Sequence, residues 1–138
     1  MKSPEALTAA FRSAGLKVTP QRQLLFSLLH DNAAHPTAES LHQEASRRMP
    51  GISLRTVYQT LTELADMGEI QMVDVGTGSH RFDPNVSGHH HAVCDTCGAV
   101  QDVYVKRTPE PSAPHGFAVN DAHIVYRGQC AECSTRAA

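Results

Sequence analysis

The most chemically specific feature of this sequence is a set of four cysteines arranged as two matched pairs. Cys94 and Cys97 form one Cys-x-x-Cys pair, and Cys130 and Cys133 form the other. A tight turn at each pair can direct two thiolates at one cation, and two pairs complete the tetrahedron that Zn²⁺ prefers. The segment between the pairs is longer than in a compact zinc ribbon, so it must hold structure of its own. The pattern predicts a structural Zn²⁺ site without a catalytic role.

Two disulfides or a redox-active pair are the alternatives to a zinc site. The start of the chain lacks the apolar stretch of a signal peptide, so we expect a cytoplasmic protein, and a reducing compartment disfavours disulfides. A thioredoxin-type motif has a single Cys-x-x-Cys between a strand and a helix, not two copies. No apolar run approaches the roughly 20 residues of a membrane helix, so no membrane partner is expected.

The composition is that of a globular protein. The chain has 138 residues, of which 41% are hydrophobic and 19% are charged, which suits one ordinary domain or two small ones. The net charge of −2 excludes a strongly basic nucleic-acid binder but allows a local basic face. Residues 1–82 carry eight basic and eight acidic side chains, and residues 83–138 carry four and six. With no Trp, four Phe and three Tyr, we expect an aliphatic core.

Four helices are predicted in the N-terminal part. Ser3 and Thr19 can each cap a helix that begins with a proline, and Thr37 and Ser53 can cap two more. Apolar residues at helical spacing support each assignment. The predicted apolar stripe of the second helix comprises Leu24, Leu25, Leu28 and Leu29, and that of the fourth comprises Leu54, Val57, Tyr58, Leu61, Leu64 and Ala65.

A hairpin is predicted after the helices, with strands at 70–75 and 79–82 around a glycine-bearing turn. Helices followed by one hairpin are typical of a winged helix-turn-helix, whose recognition helix enters the major groove. The predicted fold class is α+β, with a winged helix-turn-helix DNA-binding domain at 1–83, a hinge at 84–88 and a small α/β domain at 89–138. In that second domain, short strands are expected within 91–93, 99–105 and 117–126.

Three stretches together carry a specific family resemblance: Gly15–Arg22, Ser53–Leu61 and His89–Gly98. They resemble the Fur family of metal-dependent bacterial repressors, over a match that runs from about Leu7 to Cys133. The resemblance implies a homodimer, joined through the second domain, that binds palindromic double-stranded operator DNA and represses transcription.

Within that family the sequence is most similar to the peroxide-sensing PerR branch, in which three His and two Asp hold the regulatory ion. The resemblance implies the ligands His35, Asp83, His89, His91 and Asp102. Iron-sensing and zinc-sensing members commonly have Glu where this chain has Asp83.

A second metal site that is common in iron-sensing members is not matched by this sequence. Ala122 occupies one of its ligand positions, and His123 lies one residue away. The second site is therefore absent or rebuilt, and the sequence leaves open whether His90 or His123 forms an extra metal site. This departure also argues against a standard iron-uptake regulator.

The predicted ligand set is chemically reasonable without the resemblance. His89 and His91 are two residues apart, so on a strand they project to the same side while His90 points away. Three neutral imidazoles and two carboxylates neutralise a dication, and a mixed nitrogen and oxygen set suits Fe²⁺ or Mn²⁺. One cation bound by all five would tie the two domains together across the hinge, which makes a two-state switch.

The resemblance also implies the sensing chemistry. Bound Fe²⁺ reacts with H₂O₂, the oxidant attacks His35 and His89, and DNA is released. The Mn²⁺ form should repress transcription yet ignore peroxide.

Six side chains are candidates for DNA contact: Lys17, Arg22, Arg55, Thr56, Tyr58 and Gln59. Tyr58 has two interpretations of equal weight, as a core residue or as an aromatic that reads a base. Gln59 departs from the basic residue that many members carry after the tyrosine, so operator preference should differ.

Three other functions remain open. The chain could be a Fur, Zur, Mur or Nur-type regulator that senses metal supply without sensing peroxide. It could be a zinc-stabilised interaction module without sensing. A metalloenzyme is the third option, but no general acid or base stands beside the predicted ligands, so we do not expect an enzyme.

Overall fold

The computed structural model divides into two compact units, Met1–Val86 and Ser87–Ala138. The division falls within the segment 84–88, whose role as a hinge remains a prediction. The structure describes residues 1–112 and 114–136, so residues 113, 137 and 138 of the predicted second domain lie outside it. Among the described residues, no helix combines the length and apolar character needed to cross a membrane.

Unit 1 begins with four capped helices: α1 (Pro4–Ser13), α2 (Pro20–Leu29), α3 (Ala38–Arg48) and α4 (Leu54–Asp66). The predicted caps are confirmed. The side chains of Ser3, Thr19, Thr37 and Ser53 each accept a hydrogen bond from the backbone N–H three residues later. Each cap satisfies a donor that the helix leaves without an internal partner, so the sequence sets all four helix starts.

The core of unit 1 is mostly aliphatic, as expected, with a pair of aromatic rings packed inside it. Phe11 and Phe26 are fully buried, and their rings meet edge to face with centroids 4.8 Å apart. Phe26 lies outside the predicted stripe of α2, whose Leu25 and Leu29 are buried as expected. The two large rings fill the space between α1 and α2 within an otherwise largely aliphatic core.

The apolar face of α4 is narrower than predicted. Val57, Leu61 and Leu64 are buried, whereas Leu54 and Tyr58 are 37% and 43% exposed. Both exposed residues lie in the first half of the helix. This half of α4 therefore presents side chains to the surface.

The predicted hairpin is present with shorter strands, β1 (Gln71–Val73) and β2 (Arg81–Asp83). The strands are antiparallel, and Gln71 lies opposite Asp83. The connecting loop contains Gly76 and Gly78 with φ of 78° and 92°, a region that glycine enters at little cost. This hairpin is the wing of the domain, and its place after the four helices confirms the winged helix-turn-helix order.

Unit 2 is a three-stranded sheet with one short helix. Its elements are β3 (His90–Cys94), β4 (Val100–Val103), β5 (Val125–Gly128) and α5 (Ala131–Arg136). The strand order is β4-β3-β5, with β3 antiparallel to β4 and parallel to β5. Helices plus sheets confirm the α+β class.

Two expectations for unit 2 are corrected. Only the end of the predicted strand 117–126 belongs to β5, and Phe117 near its start is 65% exposed. A β-propensity pattern without a neighbouring strand to pair with does not form a strand. The predicted α/β class implies a helix in this unit, but its position at α5 was not predicted.

Replacing Phe26 by Ala should destabilise unit 1 by about 3–5 kcal/mol, because the substitution leaves a cavity beside Phe11. Urea unfolding followed by helical circular dichroism measures the change. Leu54→Ala, at an exposed site of α4, is the matched control and should cost less than about 1 kcal/mol. Equal losses for the two variants would contradict the assigned core.

Candidate metal and DNA-binding sites

The four cysteines form one cluster in unit 2, where each residue offers a sulfur and all four sulfurs lie within 4.8 Å of one another. Cys94 ends β3 and Cys97 lies in the turn before β4. Cys130 precedes α5 and Cys133 lies within it, and the sulfurs of Cys97 and Cys130 are 3.7 Å apart. The short helix α5 therefore completes the cluster.

The electrostatics of this cluster favour a cation. The backbone N–H groups of Cys130 and Cys97 point at Cys94 and lower the pKa of its thiol to about 6. The neighbouring thiols, Cys130 first, and burial raise the pKa of Cys133 to about 12. One thiolate thus forms readily, and further thiolates need a positive charge at the centre. Four converging sulfurs suit tetrahedral Zn²⁺.

Unit 1 holds a buried histidine–aspartate pair at the base of its wing. The Nε2 atom of His35 lies 3.2 Å from Oδ2 of Asp83, and both side chains are 2% exposed. Asp83 ends β2, and its other oxygen accepts a hydrogen bond of 2.8 Å from the Asn85 backbone N–H. The neighbouring Phe82 N–H donates to the Pro36 carbonyl at 2.9 Å, which fastens the His35 loop to β2. The wing strand therefore positions both members of the pair.

The backbone of His35 has a φ of 51°, in the left-handed region. A non-glycine residue adopts this conformation at a cost, and such residues cluster at functional sites. In this conformation the imidazole is directed at Asp83.

Unit 2 holds a second group of nitrogen and oxygen donors around Asp102. His91 faces Asp102 across the β3–β4 pairing, and its Nε2 lies 3.5 Å from Oδ1 of Asp102. The Nε2 of His89 lies 3.0 Å from the same oxygen, and the two imidazole rings are 4.7 Å apart. The Nδ1 of His89 is 2.6 Å from the carbonyl oxygen of Ser87. Both rings therefore present Nε2 to the carboxylate.

These two groups contain nitrogen and oxygen donors only, which is the chemistry that Fe²⁺ and Mn²⁺ accept. The pair in unit 1 supplies two donor side chains and the group in unit 2 supplies three. Neither number alone satisfies a dication that prefers about six ligands.

Four of the six candidate DNA-contacting residues are exposed: Lys17, Arg55, Tyr58 and Gln59. Thr56 is half-buried, with its hydroxyl 3.0 Å from that of Ser53. The first turn of α4 carries no acidic residue, so Arg55 faces no local carboxylate within it.

Tyr58 is exposed and therefore is not a core residue. Its hydroxyl donates a 2.5 Å hydrogen bond to Glu39 on α3. This bond lowers the pKa of the Glu39 carboxyl and raises the pKa of the Tyr58 hydroxyl. The contact fixes the direction of the ring at the surface.

Arg22 lies inside unit 1, unlike the other candidates. Its guanidinium is 2.8 Å from Glu63 and donates a 2.7 Å hydrogen bond to the Lys17 carbonyl. Its guanidinium carbon also lies 5.5 Å from the centroid of the Phe11 ring. These contacts hold α1, α2 and α4 together, so Arg22 serves the framework of the unit.

Two residues near the candidate sites were not expected from the sequence. Glu39 holds Tyr58, and His123 lies against His91 with their ring nitrogens 2.9 Å apart. Burial, followed by the charge of His90, lowers the pKa of His123. The only sequence signal for His123 is its position one residue from a family ligand position.

The ferric uptake regulator family model matches residues 13–127. The chain belongs to the Fur family. Among similar proteins, the peroxide-responsive repressor PerR of Staphylococcus epidermidis is 35% identical over 133 residues, covering 94% of this chain and 89% of the relative. The resemblance to the PerR branch is thereby confirmed.

Solved structures of Fur-family members share the fold. A zinc-bound manganese uptake regulator is 28% identical with a TM-score of 0.70, covering 94% of this chain and 99% of that structure. The Helicobacter pylori ferric uptake regulator, at 19% identity, has a TM-score of 0.72 and covers 94% and 90% of the two chains. The chain, with its winged helix-turn-helix and its cysteine cluster, is thus a Fur-family metalloregulator that resembles PerR.

Replacing Cys133 by Ser should remove the bound zinc, because three sulfurs leave the tetrahedron open. We expect the loss of about one zinc per chain by elemental analysis. Backbone hydrogen exchange along β3 should accelerate at the same time, because this strand ends at Cys94 and loses the support of the metal there. Ser134→Ala, the neighbouring exposed position on α5, is the control and should keep both properties. Retention of zinc in Cys133→Ser would overturn the assignment.

Proposed function

We propose that this chain is a metal-dependent, peroxide-responsive transcriptional repressor that binds palindromic operator DNA as a homodimer when Fe²⁺ or Mn²⁺ is bound. The observation that carries the proposal is the pairing of imidazoles with a carboxylate in both units, His35 with Asp83 in one and His89 and His91 with Asp102 in the other. The name of the S. epidermidis relative supports the same function.

The regulatory centre is proposed to form when all five side chains bind one ion. The two carboxylates then neutralise the dication, and three neutral imidazoles fill most of the remaining coordination positions. One position left open is enough for peroxide. Because the ligands come from both units, the bound ion restricts how the DNA-binding unit moves relative to the second unit, and ion loss releases it.

Peroxide is proposed to act through the ligands themselves. Fe²⁺ held by these five side chains would supply the reduction of H₂O₂, which is chemistry that Mn²⁺ would not provide. One oxygen atom of the peroxide would be added to the imidazole ring of His35 or His89 while the other leaves as water, and an oxidised ring is a poorer donor. The centre opens and DNA is released. The chain consumes its own side chain in this step, so it signals without acting as an enzyme.

The DNA surface is proposed to comprise Lys17 and the exposed first half of α4, with Arg55, Thr56, Tyr58 and Gln59. In a winged helix-turn-helix, the recognition helix reads base edges while neighbouring elements hold phosphates. Arg55 can pair with a guanine edge and Tyr58 can pack against a thymine methyl group. Arg22 belongs to this set only through the support that it gives to Lys17 and α4.

Peroxide should abolish DNA binding by the Fe²⁺-loaded protein and leave the Mn²⁺-loaded protein unaffected. The duplex is first selected from random sequences with the Mn²⁺-loaded, zinc-containing chain. Fluorescence anisotropy then measures affinity before and after exposure to H₂O₂. Mass spectrometry should find the mass of one added oxygen atom in the peptides with His35 and His89, in the Fe²⁺ sample only.

Unchanged affinity and unmodified histidines in the Fe²⁺ sample would contradict peroxide sensing. The chain would then be a Fur, Zur, Mur or Nur-type regulator of metal supply, and titration with Fe²⁺, Mn²⁺, Zn²⁺ and Ni²⁺ would identify the metal.

Ligand substitutions in the two units should not be additive if the five side chains hold one ion. We expect Asp83→Asn and His91→Ala each to weaken Mn²⁺-dependent DNA binding at least about tenfold. Substituting even a residue that only supports a metal ligand has an effect of that size, and loss of a ligand itself should cost at least as much. The double variant should be about as impaired as either single variant. Anisotropy with the selected duplex measures all three.

Glu110→Gln, an exposed position outside the donor groups, is the control for the loss of one carboxylate. All variants should retain zinc. Losses that add in the double variant would mean that the two donor groups act on separate ions.

A further inference from the structure

His123 lies outside the proposed ligand set and contacts the ring of a proposed ligand, His91. Its Nε2 lies 2.9 Å from Nδ1 of His91, and the two rings meet edge to face with centroids 5.1 Å apart at 74°. A distance of 2.9 Å between ring nitrogens is that of a hydrogen bond.

The backbone beside His123 is held against β3 by two further hydrogen bonds. The Ile124 N–H donates to Nδ1 of His90 at 3.0 Å, and the His91 N–H donates to the Ile124 carbonyl at 3.2 Å. The His123 ring also stacks on that of His90, with centroids 6.2 Å apart. The ring of His123 is therefore fixed behind His91.

The direction of the hydrogen bond follows from the ligand atom of His91. Its Nε2 faces Asp102, so Nε2 is the atom that would bind the ion. A neutral imidazole that binds through one nitrogen carries its proton on the other. Nδ1 of His91 is then the donor, and Nε2 of His123 accepts.

We propose that His123 is a positioning residue of the regulatory metal centre, which fixes the tautomer and ring orientation of His91 by accepting a hydrogen bond from its Nδ1–H. This inference rests on the proposed function, because it assumes that His91 binds the regulatory ion. Partners of this kind raise the basicity of a ligand imidazole and reduce its freedom before the metal arrives. The contact also ties the irregular segment before β5 to the metal centre.

The other histidine of this group, His90, has a different role. Its Nδ1 accepts from Ile124, and its Nε2 lies 3.5 Å from the Thr108 hydroxyl. His90 thereby anchors the backbone that carries His123.

Two substitutions of His123 test the proposal. His123→Ala removes the acceptor and should weaken Mn²⁺ binding by about 10- to 100-fold. His123→Gln places an amide oxygen near the position of Nε2 and should restore most of the affinity. His115→Ala, an exposed histidine of the same unit, is the matched control and should bind as the unsubstituted chain does. The zinc-loaded full chain is titrated with Mn²⁺, and free Mn²⁺ is followed by electron paramagnetic resonance.

A second readout separates positioning from a general structural effect. Nitrogen-15 spectra of the zinc-loaded, Mn²⁺-free chain should show His91 with its proton on Nδ1, and His123→Ala should give a mixture of tautomers. Thermal unfolding of His123→Ala should match that of His115→Ala.

Several results would overturn the proposal. They are wild-type Mn²⁺ affinity in His123→Ala, an affinity in His123→Gln as low as in His123→Ala, and a His91 proton on Nε2 in the unsubstituted chain. A different result would overturn the proposed function as well: Mn²⁺ binding that is unchanged by His91→Ala.

Discussion

A carboxylate that is buried beside an imidazole must be satisfied by hydrogen-bond donors or by a positive charge, and both donor groups of this chain depend on this constraint. The Asp83 side chain is 2% exposed with His35 as a neighbour, and Asp102 faces the Nε2 atoms of two histidines. A histidine that becomes protonated can supply that charge, but only within a limited pH range. A dication supplies it at neutral pH and leaves the imidazoles neutral. A bound dication therefore satisfies these donor groups over a wider pH range than a protonated histidine does.

The two sheets of the chain place these donors with different precision. In unit 2 the β3–β4 register puts His91 opposite Asp102, so a one-residue slip would separate them. The same strand β3 ends at Cys94, and β5 leads into Cys130, so the cysteine cluster holds the two strands of this sheet at one end. In unit 1 the end of β2 supplies Asp83, and the Phe82–Pro36 hydrogen bond brings the His35 loop to it. A site on strand ends and a strained loop is suited to change state, whereas a zinc-bound sheet is suited to stay fixed.

Local signals in the sequence were sufficient for the four helices of unit 1 and for the ligand types. Ser3 and Thr19 before prolines fix two helix starts, and each Cys-x-x-Cys pair supplies two sulfur ligands. These features act over three or four residues. Non-local contacts were not predictable in the same way. The burial of Arg22 depends on Glu63 in another helix, and the contact between His123 and His91 depends on how the chain runs beside β3. Residues 117–124 have the residue pattern of a strand but follow an irregular course in the structure. The contact of His123 with His91 depends on that course, so the pattern did not predict it.

The cysteine cluster and the histidine–aspartate groups differ in chemistry, which suits the first to stabilising the fold and the second to the proposed sensing role. Thiolates bind Zn²⁺ tightly, and Zn²⁺ has no redox chemistry of its own, so a tetrahedron of four sulfurs is a permanent structural element. Imidazole and carboxylate ligands bind Fe²⁺ and Mn²⁺ more weakly, so that this ion can exchange and report on its supply. Reactive sulfur close to an iron centre would compete for the oxidant, and a zinc-bound thiolate is protected from that reaction. In the proposed sensing mechanism, keeping the sulfurs on Zn²⁺ and the iron ligands free of sulfur would direct oxidation to the histidines, where one altered ring would weaken the centre that the ligands of both units are proposed to share.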